Sequence, residues 1–469
     1  MFSQTRKRQQ VSRARLIIGL VIVFAFVFLP LSVVRGGSRG IGNLAIDPGP
    51  RAGNPGAGQW FPHLSRNQVN LFGEILGDFS EPNEVTAGEG GDPLRIGLGP
   101  RFDSNSCANC HAYPAPGGSS PPVNPLFGVY QLNGAKNTMP FFETPNGPIV
   151  VARFPYQSDL VTPDGHVHQL FVITGRNDAG SCNIAQPDFV SAAAQNNLIL
   201  RQTTPTFGGG LVEIIKDADI LANMNANLSL KQSLGITGHP NIISDDNSYG
   251  RFGWKAQVRS LMIFGGEAYN VEQGVTNELF PDEIDETPGC VLNPLPEDGT
   301  DFTAGIPVKK FPGDPERFAL FSRFMAPPTP APPTLSTQNG QTQFNNIGCV
   351  LCHTTSFTTP TSPVGPLSGI TANLFSDLLV HHMGPCLADN VTQGTAQGDE
   401  FRTAMLWGVG QRFFFLHDGR TSNIVTAIED HFCVGNSQYQ DSEANGVVNN
   451  FNALSPTNQQ DLINFLRSL

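Results

Sequence analysis

The sequence predicts a mainly α-helical fold with long irregular loops and a few short strands, arranged as two related domains. Three observations carry this. Glycine (50) and proline (38) are abundant among the 469 residues, too abundant for regular structure throughout. The longer apolar stretches follow helical spacing, as in Val69, Leu71, Phe72, Ile75 and Leu76. The pattern C-x-x-C-H occurs twice, at Cys107–His111 and Cys349–His353, on either side of a proline run.

The chemistry of that pattern is specific. Two thiols on one helical turn can each form a thioether to a haem vinyl group, and the following histidine is then held under the iron. A zinc site wants two more close Cys or His ligands, which neither motif has. A redox dithiol wants a βαβ setting, which is absent. Two covalently bound c-type haems are expected, on Cys107, Cys110 and His111 and on Cys349, Cys352 and His353. The domains are then cytochrome c-like haem domains. A structural calcium ion is a further cofactor in view.

Net charge is −12, which excludes nucleic acid as a partner and suits a small basic electron-carrier protein. Arg6, Lys7, Arg8, Arg13 and Arg15 precede an apolar run from Leu16 to Val34, about long enough to span a bilayer. Residues 1–36 therefore read as a signal peptide or an inner-membrane signal anchor, and the rest as periplasmic or otherwise extracytoplasmic. Haem attachment to such motifs occurs in the same compartment. Cys182, Cys290, Cys386 and Cys433 remain outside the motifs, and an even remainder in an oxidising compartment suggests disulfides. Of three pairings, Cys182–Cys290 with Cys386–Cys433 keeps each bridge inside one domain.

Residues 37–59 are rich in Gly and Pro and read as a flexible linker. Residues 60–325 form the N-terminal haem domain, enlarged by insertions. It carries a helix over 67–79, an irregular stretch over 112–125, short strands within 144–175 and helix over 209–231. Residues 326–335 are a proline-rich, extended connector. Residues 336–469 form the C-terminal haem domain and end in an amphipathic helix, with Ser455 as N-cap and Pro456 at its first position. A faint repeat relates TTPTFGGG (203–210) to TAMLWGVG (403–410) at a constant offset, each copy after a haem motif.

From about residue 90 onward the chain resembles the di-haem oxidoreductases related to bacterial di-haem cytochrome c peroxidases. The matching stretches are GLGPRFDSNSCANCH (97–111), FGGGL (207–211), RFGWKA (251–256), FNNIGCVLCH (344–353), SDLLVHHMGPCLADN (376–390) and FRTAMLWGVGQRFFFLHDGRTSNIVTAIEDH (401–431). The resemblance implies that the C-terminal haem takes electrons from a carrier and that the N-terminal haem reduces a peroxide or another small oxidant. An iron with two protein ligands transfers electrons, whereas one with an open position can bind an oxidant. His431 stands where those peroxidases place a methionine, so His353 with His431 is the expected pair, and Met383 is the competing ligand. For the N-terminal iron, Met139, His166 and His168 are the available sixth ligands, or the position is open. Glu272 is the expected acid–base group, with Glu267 as its local rival. Trp254, or else Trp407, corresponds to the tryptophan between the haems. Two alternatives share these motifs: a non-catalytic di-haem electron-transfer cytochrome, and a di-haem oxygenase or thiol oxidoreductase.

Overall fold

A computed structural model describes residues 45–86, 97–243, 247–299 and 312–469. The expected export segment, residues 1–36, lies outside them. Among the described residues no helix is long and apolar enough to cross a membrane. These residues contain twelve α-helices and nine strands of two to four residues, so the fold is mainly α. The largest sheet has three strands, with Val150–Arg153 between Val167–His168 and Ile199–Gln202, all antiparallel.

One three-part arrangement occurs twice. Helix Arg66–Ser80 opens on a capping box in which Ser65 and Gln68 satisfy each other's backbone N–H. It buries Phe72, Ile75 and Phe79, each worth about 1.5–3 kcal/mol of apolar burial. Phe72 stacks on Phe321 of helix Asp314–Phe324 with ring centroids 5.0 Å apart, and Phe79 reaches Phe321 at 4.8 Å and the His111 ring at 6.0 Å. In the second half, helix Leu335–Ile347 opens on a Thr334/Thr337 capping box and stops at Gly348, whose φ of 104° is left-handed. It crosses helix Pro456–Ser468, where Phe344 meets Phe465 at 5.5 Å and the His353 ring at 6.3 Å. Gly340 makes that crossing close, since a Cβ there would overlap the Asp461 carbonyl oxygen.

The faint sequence repeat has matching geometry. Gly208 and Gly408 are both left-handed, at φ 68° and 73°. A Cβ on Gly210 would overlap the backbone of Arg323, and one on Gly410 that of Arg467. Each Gly-x-Gly therefore lets a loop lie against the end of its own half's second helix.

Several expectations change in detail. The stretch 209–231 is three short helices, Gly209–Ile214, Asp217–Asn225 and Leu228–Leu234, because Lys216 and Ala226 are extended and Asn227 is left-handed. Residues 45–59, read as part of a flexible linker, are pinned. Asp47 pairs with buried Arg467 at 2.6 Å, and the Arg51 N–H donates to the Gly410 carbonyl at 2.7 Å. The proline run is extended but docked, as Ala326, Thr329 and Ala331 donate to the carbonyls of Gln59, Gly56 and Ser468. Composition signals the missing side-chain pattern, not the backbone donors that remain. Cys182 is bonded to Cys290 and Cys386 to Cys433.

Two glycine substitutions separate packing from propensity. Gly73 sits mid-helix and exposed with nothing near its Cβ position, so Gly73→Ala is expected to stabilise by about 0.5–1 kcal/mol. Gly340→Ala must push two helices apart and is expected to cost about 1–3 kcal/mol. Denaturant midpoints of the two variants should move in opposite directions.

Candidate active site

Each C-x-x-C-H motif opens onto its own cavity. The first, of about 180 Å³, is lined by Cys107, Cys110 and His111 together with Asp103, Arg153, Glu267 and Glu272. The second, of about 220 Å³, is lined by Cys349, Cys352 and His353 together with His381, Met383, His417 and His431. The four motif cysteines are free thiols, whereas the other four are in disulfides.

The motif histidines are set alike. The His111 N–H closes the short helix onto the Cys107 carbonyl at 3.0 Å, and the His353 N–H reaches Cys349 at 2.8 Å. His111 Nδ1 lies 3.1 Å from the Gly118 carbonyl, and His353 Nδ1 lies 3.0 Å from that of Phe375. A carbonyl only accepts, so Nδ1 carries the proton and Nε2 the lone pair. Burial pushes both imidazoles down to about 4, which keeps them neutral at pH 7. That is the ligating form.

The second cavity offers further ligands. His431 follows helix Ile424–Glu429, is half-buried, and gives its Nδ1 proton to the Ala427 carbonyl at 2.6 Å. Its Nε2 is thereby the lone-pair nitrogen, as in the two motif histidines. Met383 lines the same wall. His381 is committed elsewhere: it lies 2.7 Å from Glu443 and 3.0 Å from Asp377, and burial, which lowers it, is outweighed by the Cys352 sulfur and the Asp377 carboxylate, which raise it. His382 is likewise tied to Asp399 and Glu400. His417 stacks on Phe401 at 4.3 Å, and burial brings it down to about 4.

No second histidine and no methionine lines the first cavity among the described residues. His168 stacks on Phe154 at 3.8 Å and bonds Asp164, His166 is exposed, and Met139 packs against the apolar cluster of Ile149 and Leu170 without lining the cavity. Instead the cavity carries acids. Helix Leu261–Gln273 presents Glu267 and Glu272, and strand Val150–Arg153 presents Arg153. Burial raises both glutamates, while the Arg153 charge pulls each back. Asp103 was not foreseen from the sequence. It lies four residues before Cys107, within the GLGPRFDSNSCANCH stretch, where its sign could have flagged it.

Trp254 and Gln202 line both cavities. The indole Nε1–H donates to the Gln202 carbonyl at 2.8 Å. Trp407 instead packs into the apolar core against Gly208. Arg402 and Arg412 line the second cavity and a small void beside Trp254. Arg402 is buried and Arg412 half-buried, desolvation brings both down to about 10, and neither makes an ion pair with a described carboxylate.

These residues fit haem. Paired thiols, neutral histidines with Nε2 available, and buried guanidinium groups for the porphyrin's carboxylates are what it requires. Calcium fares differently. Among the described residues the one cluster of three ionisable ligand atoms is Cys352, Asp377 and His381, which is not the all-oxygen cage calcium takes.

The fold and these cavities define an oxidoreductase of the two-haem kind. The chain belongs to the family described as "Di-haem oxidoreductase, putative peroxidase", whose model matches residues 155–469. The first motif lies ahead of that match. Among curated proteins none matches the chain. Among solved structures, the chain is similar to the diheme peroxidase BthA from Burkholderia thailandensis, at 15% identity over 86% of each chain and a TM-score of 0.37. A MauG-like protein associated with microbial copper homeostasis shares 14% identity over 56% of this chain and 89% of its own, at a TM-score of 0.29. Hydrazine synthase from Kuenenia stuttgartiensis shares 19% identity over 33% of this chain, at a TM-score of 0.22, and the chain covers 55% of it.

The wall of the second cavity has a pH signature. Burial opposes the charge on Glu443, but the His381 imidazolium and donors from Thr237 outweigh it and bring the carboxyl from 4.5 to about 2. A carboxyl lowered on folding stabilises the fold above its unfolded value, and that contribution fades as pH falls toward the folded one. Glu443→Gln should therefore flatten the stability loss between about pH 4.5 and 2, read as denaturant midpoints across that range.

Proposed function

We propose that the protein is an exported di-haem c-type peroxidase-like enzyme in which the two cavities have unequal tasks. Residues 60–325 and 336–469 act as two cytochrome c-like domains joined by 326–335, each carrying one covalent haem. Residues 1–36 serve as the export signal or inner-membrane anchor, which places the enzyme in the periplasm. When bound, the irons would store electrons from a small carrier protein, received in the second cavity, and offer an oxidant such as peroxide a coordination position in the first.

The asymmetry of the cavities carries this reading. His431 and Met383 line the same cavity as a motif whose histidine is already oriented. We assign His431 as the second ligand there, because its Nδ1 is fixed on a carbonyl in the same way as in His353. The first cavity has His111 and, in place of a second ligand, three carboxyl groups. Glu272 is the acid–base residue: a peroxide there must lose a proton from its near oxygen and gain one on the far oxygen, so that water leaves. Glu267 and Arg153 set the field around it. Trp254 separates the cavities and orients toward both.

Electron paramagnetic resonance of the ferric holo-protein is expected to show one bis-imidazole low-spin iron and one iron with a displaceable position. His431→Ala should alter the first of these signals alone. Hydrogen peroxide should be turned over with a reduced cytochrome as donor. Absence of turnover, with both irons six-coordinate in the ferric and half-reduced states, would favour the pure electron-transfer cytochrome and end this reading.

A further inference from the structure

We propose that Asp103 and Glu272 work as one proton-sharing pair, with Asp103 holding the proton and thereby positioning Glu272 as the ionised base facing the first cavity. This rests on the peroxidase-like reading of that cavity. The pair is built into the backbone from both sides. The Asp103 N–H donates to the Glu272 carbonyl at 2.7 Å, and the Ser104 N–H to the same oxygen at 3.2 Å. The loop after strand Arg101–Phe102 is thus fastened to the last turn of helix Leu261–Gln273. Asp103 is 1% exposed. Its Oδ1 accepts the Leu170 N–H at 2.7 Å, while its Oδ2 has no N–H or hydroxyl donor among the described residues. The Glu272 side chain is its hydrogen-bond partner.

Two carboxylates cannot share a hydrogen bond, and in a buried site their repulsion is large. One proton between them removes the repulsion and supplies the donor that Oδ2 lacks. The surroundings decide which group keeps it. Glu272 lies in the field of the Arg153 guanidinium, which favours its charge against the opposing Glu267. Burial first, and then the acidic Glu272 and Glu143, raise Asp103, against the single Leu170 N–H that favours its charge. Asp103 therefore stays a carboxylic acid, and its O–H steadies the Glu272 carboxylate. During peroxide activation Glu272 takes one proton from the near oxygen and returns it to the far one. Asp103 keeps its own, so the pair's proton count is unchanged.

The test uses holo-protein with three variants. Asp103→Asn keeps an N–H donor for Glu272 but has no proton to lose. Its pH profile of kcat/KM for hydrogen peroxide should retain the acid limb and lose the alkaline limb. Asp103→Ala removes the donor, so the acid limb should move to higher pH and the maximum fall about tenfold or more, while Glu272→Gln should lose about 10²–10⁴-fold. Independently of turnover, the infrared difference spectrum of wild type minus Asp103→Asn at neutral pH should contain a carboxylic-acid carbonyl band. That band should shift in D₂O and again in Glu272→Gln. A pH profile of Asp103→Asn that superposes on wild type, or a difference spectrum without the band, would overturn the pairing. If wild type turns over no peroxide, the reading of the cavity fails, and the infrared measurement still decides whether the proton is shared.

Discussion

The hydrogen bond from an imidazole Nδ1 to a backbone carbonyl is the constraint on which the two cavities depend. His111, His353 and His431 all make it, to Gly118, Phe375 and Ala427. A carbonyl has no proton to give, so each ring donates from Nδ1, although His111 has the Thr204 carbonyl as a second acceptor. The backbone is shaped to supply these acceptors. Gly118 sits where a Cβ would overlap the Tyr113 carbonyl, and Phe375 holds a φ of 53°, which costs a bulky residue about 1–2 kcal/mol. His431 uses the carbonyl four residues back along its own helix. Burial adds the second half of the constraint, since a charged imidazole there would be desolvated without a partner. His381 shows the opposite solution in the same cavity: two carboxylates flank it and it stays protonated.

Charge is then partitioned across a narrow wall. The first cavity gathers Asp103, Glu267 and Glu272 with Arg153 and Arg201. The second carries Glu443 with buried Arg402 and half-buried Arg412, neither arginine in an ion pair with a described carboxylate. Isolated buried guanidinium groups are costly unless an anion reaches them. Haem propionates are such anions, and Arg402 and Arg412 line both the second cavity and the small void beside Trp254. Acids gathered around the other cavity suit proton transfer rather than anion capture. The same desolvation that penalises a lone charge makes each of these groups sensitive to its neighbours.

Much of this was legible in the residue order. The two motifs, a helix over 67–79 and the C-terminal helix follow from spacing and capping residues, while parity pointed to disulfides and keeping each bridge within one half favoured, among three pairings, the one observed. Glu272, Trp254, His431 and Met383 were found through a resemblance, and each does line a cavity. Asp103 and Arg153 were not found, because a lone acid before a motif and an arginine on a three-stranded sheet have no sequence period. Their meaning depends on strand Val150–Arg153 and helix Leu261–Gln273 facing one space, and that is a long-range fact. The pinned segment 45–59 was misread for a related reason. Gly- and Pro-rich sequence lacks a side-chain pattern, but its N–H groups still bond, and Asp47 meets Arg467 across more than four hundred residues.

The wall itself closes the account. Trp254 is the aromatic side chain shared by both cavity linings, and it is held on three sides. Its indole donates to Gln202, its carbonyl accepts the Arg402 N–H at 2.8 Å, and the preceding Gly253 carbonyl accepts Arg402 Nε at 3.0 Å. Gln202 is fixed in turn, with its N–H on the His417 carbonyl and its amide on that of Leu416. Both wall residues are thus tied by backbone bonds to loops of the second half. Under the proposed function, an electron must cross here while protons stay on the Asp103 side. The indole N–H itself ends on a backbone carbonyl, so the ring carries no titratable proton between the cavities. What the two linings share is a fixed indole and the Gln202 backbone it is bonded to, which suits the passage of an electron rather than a proton.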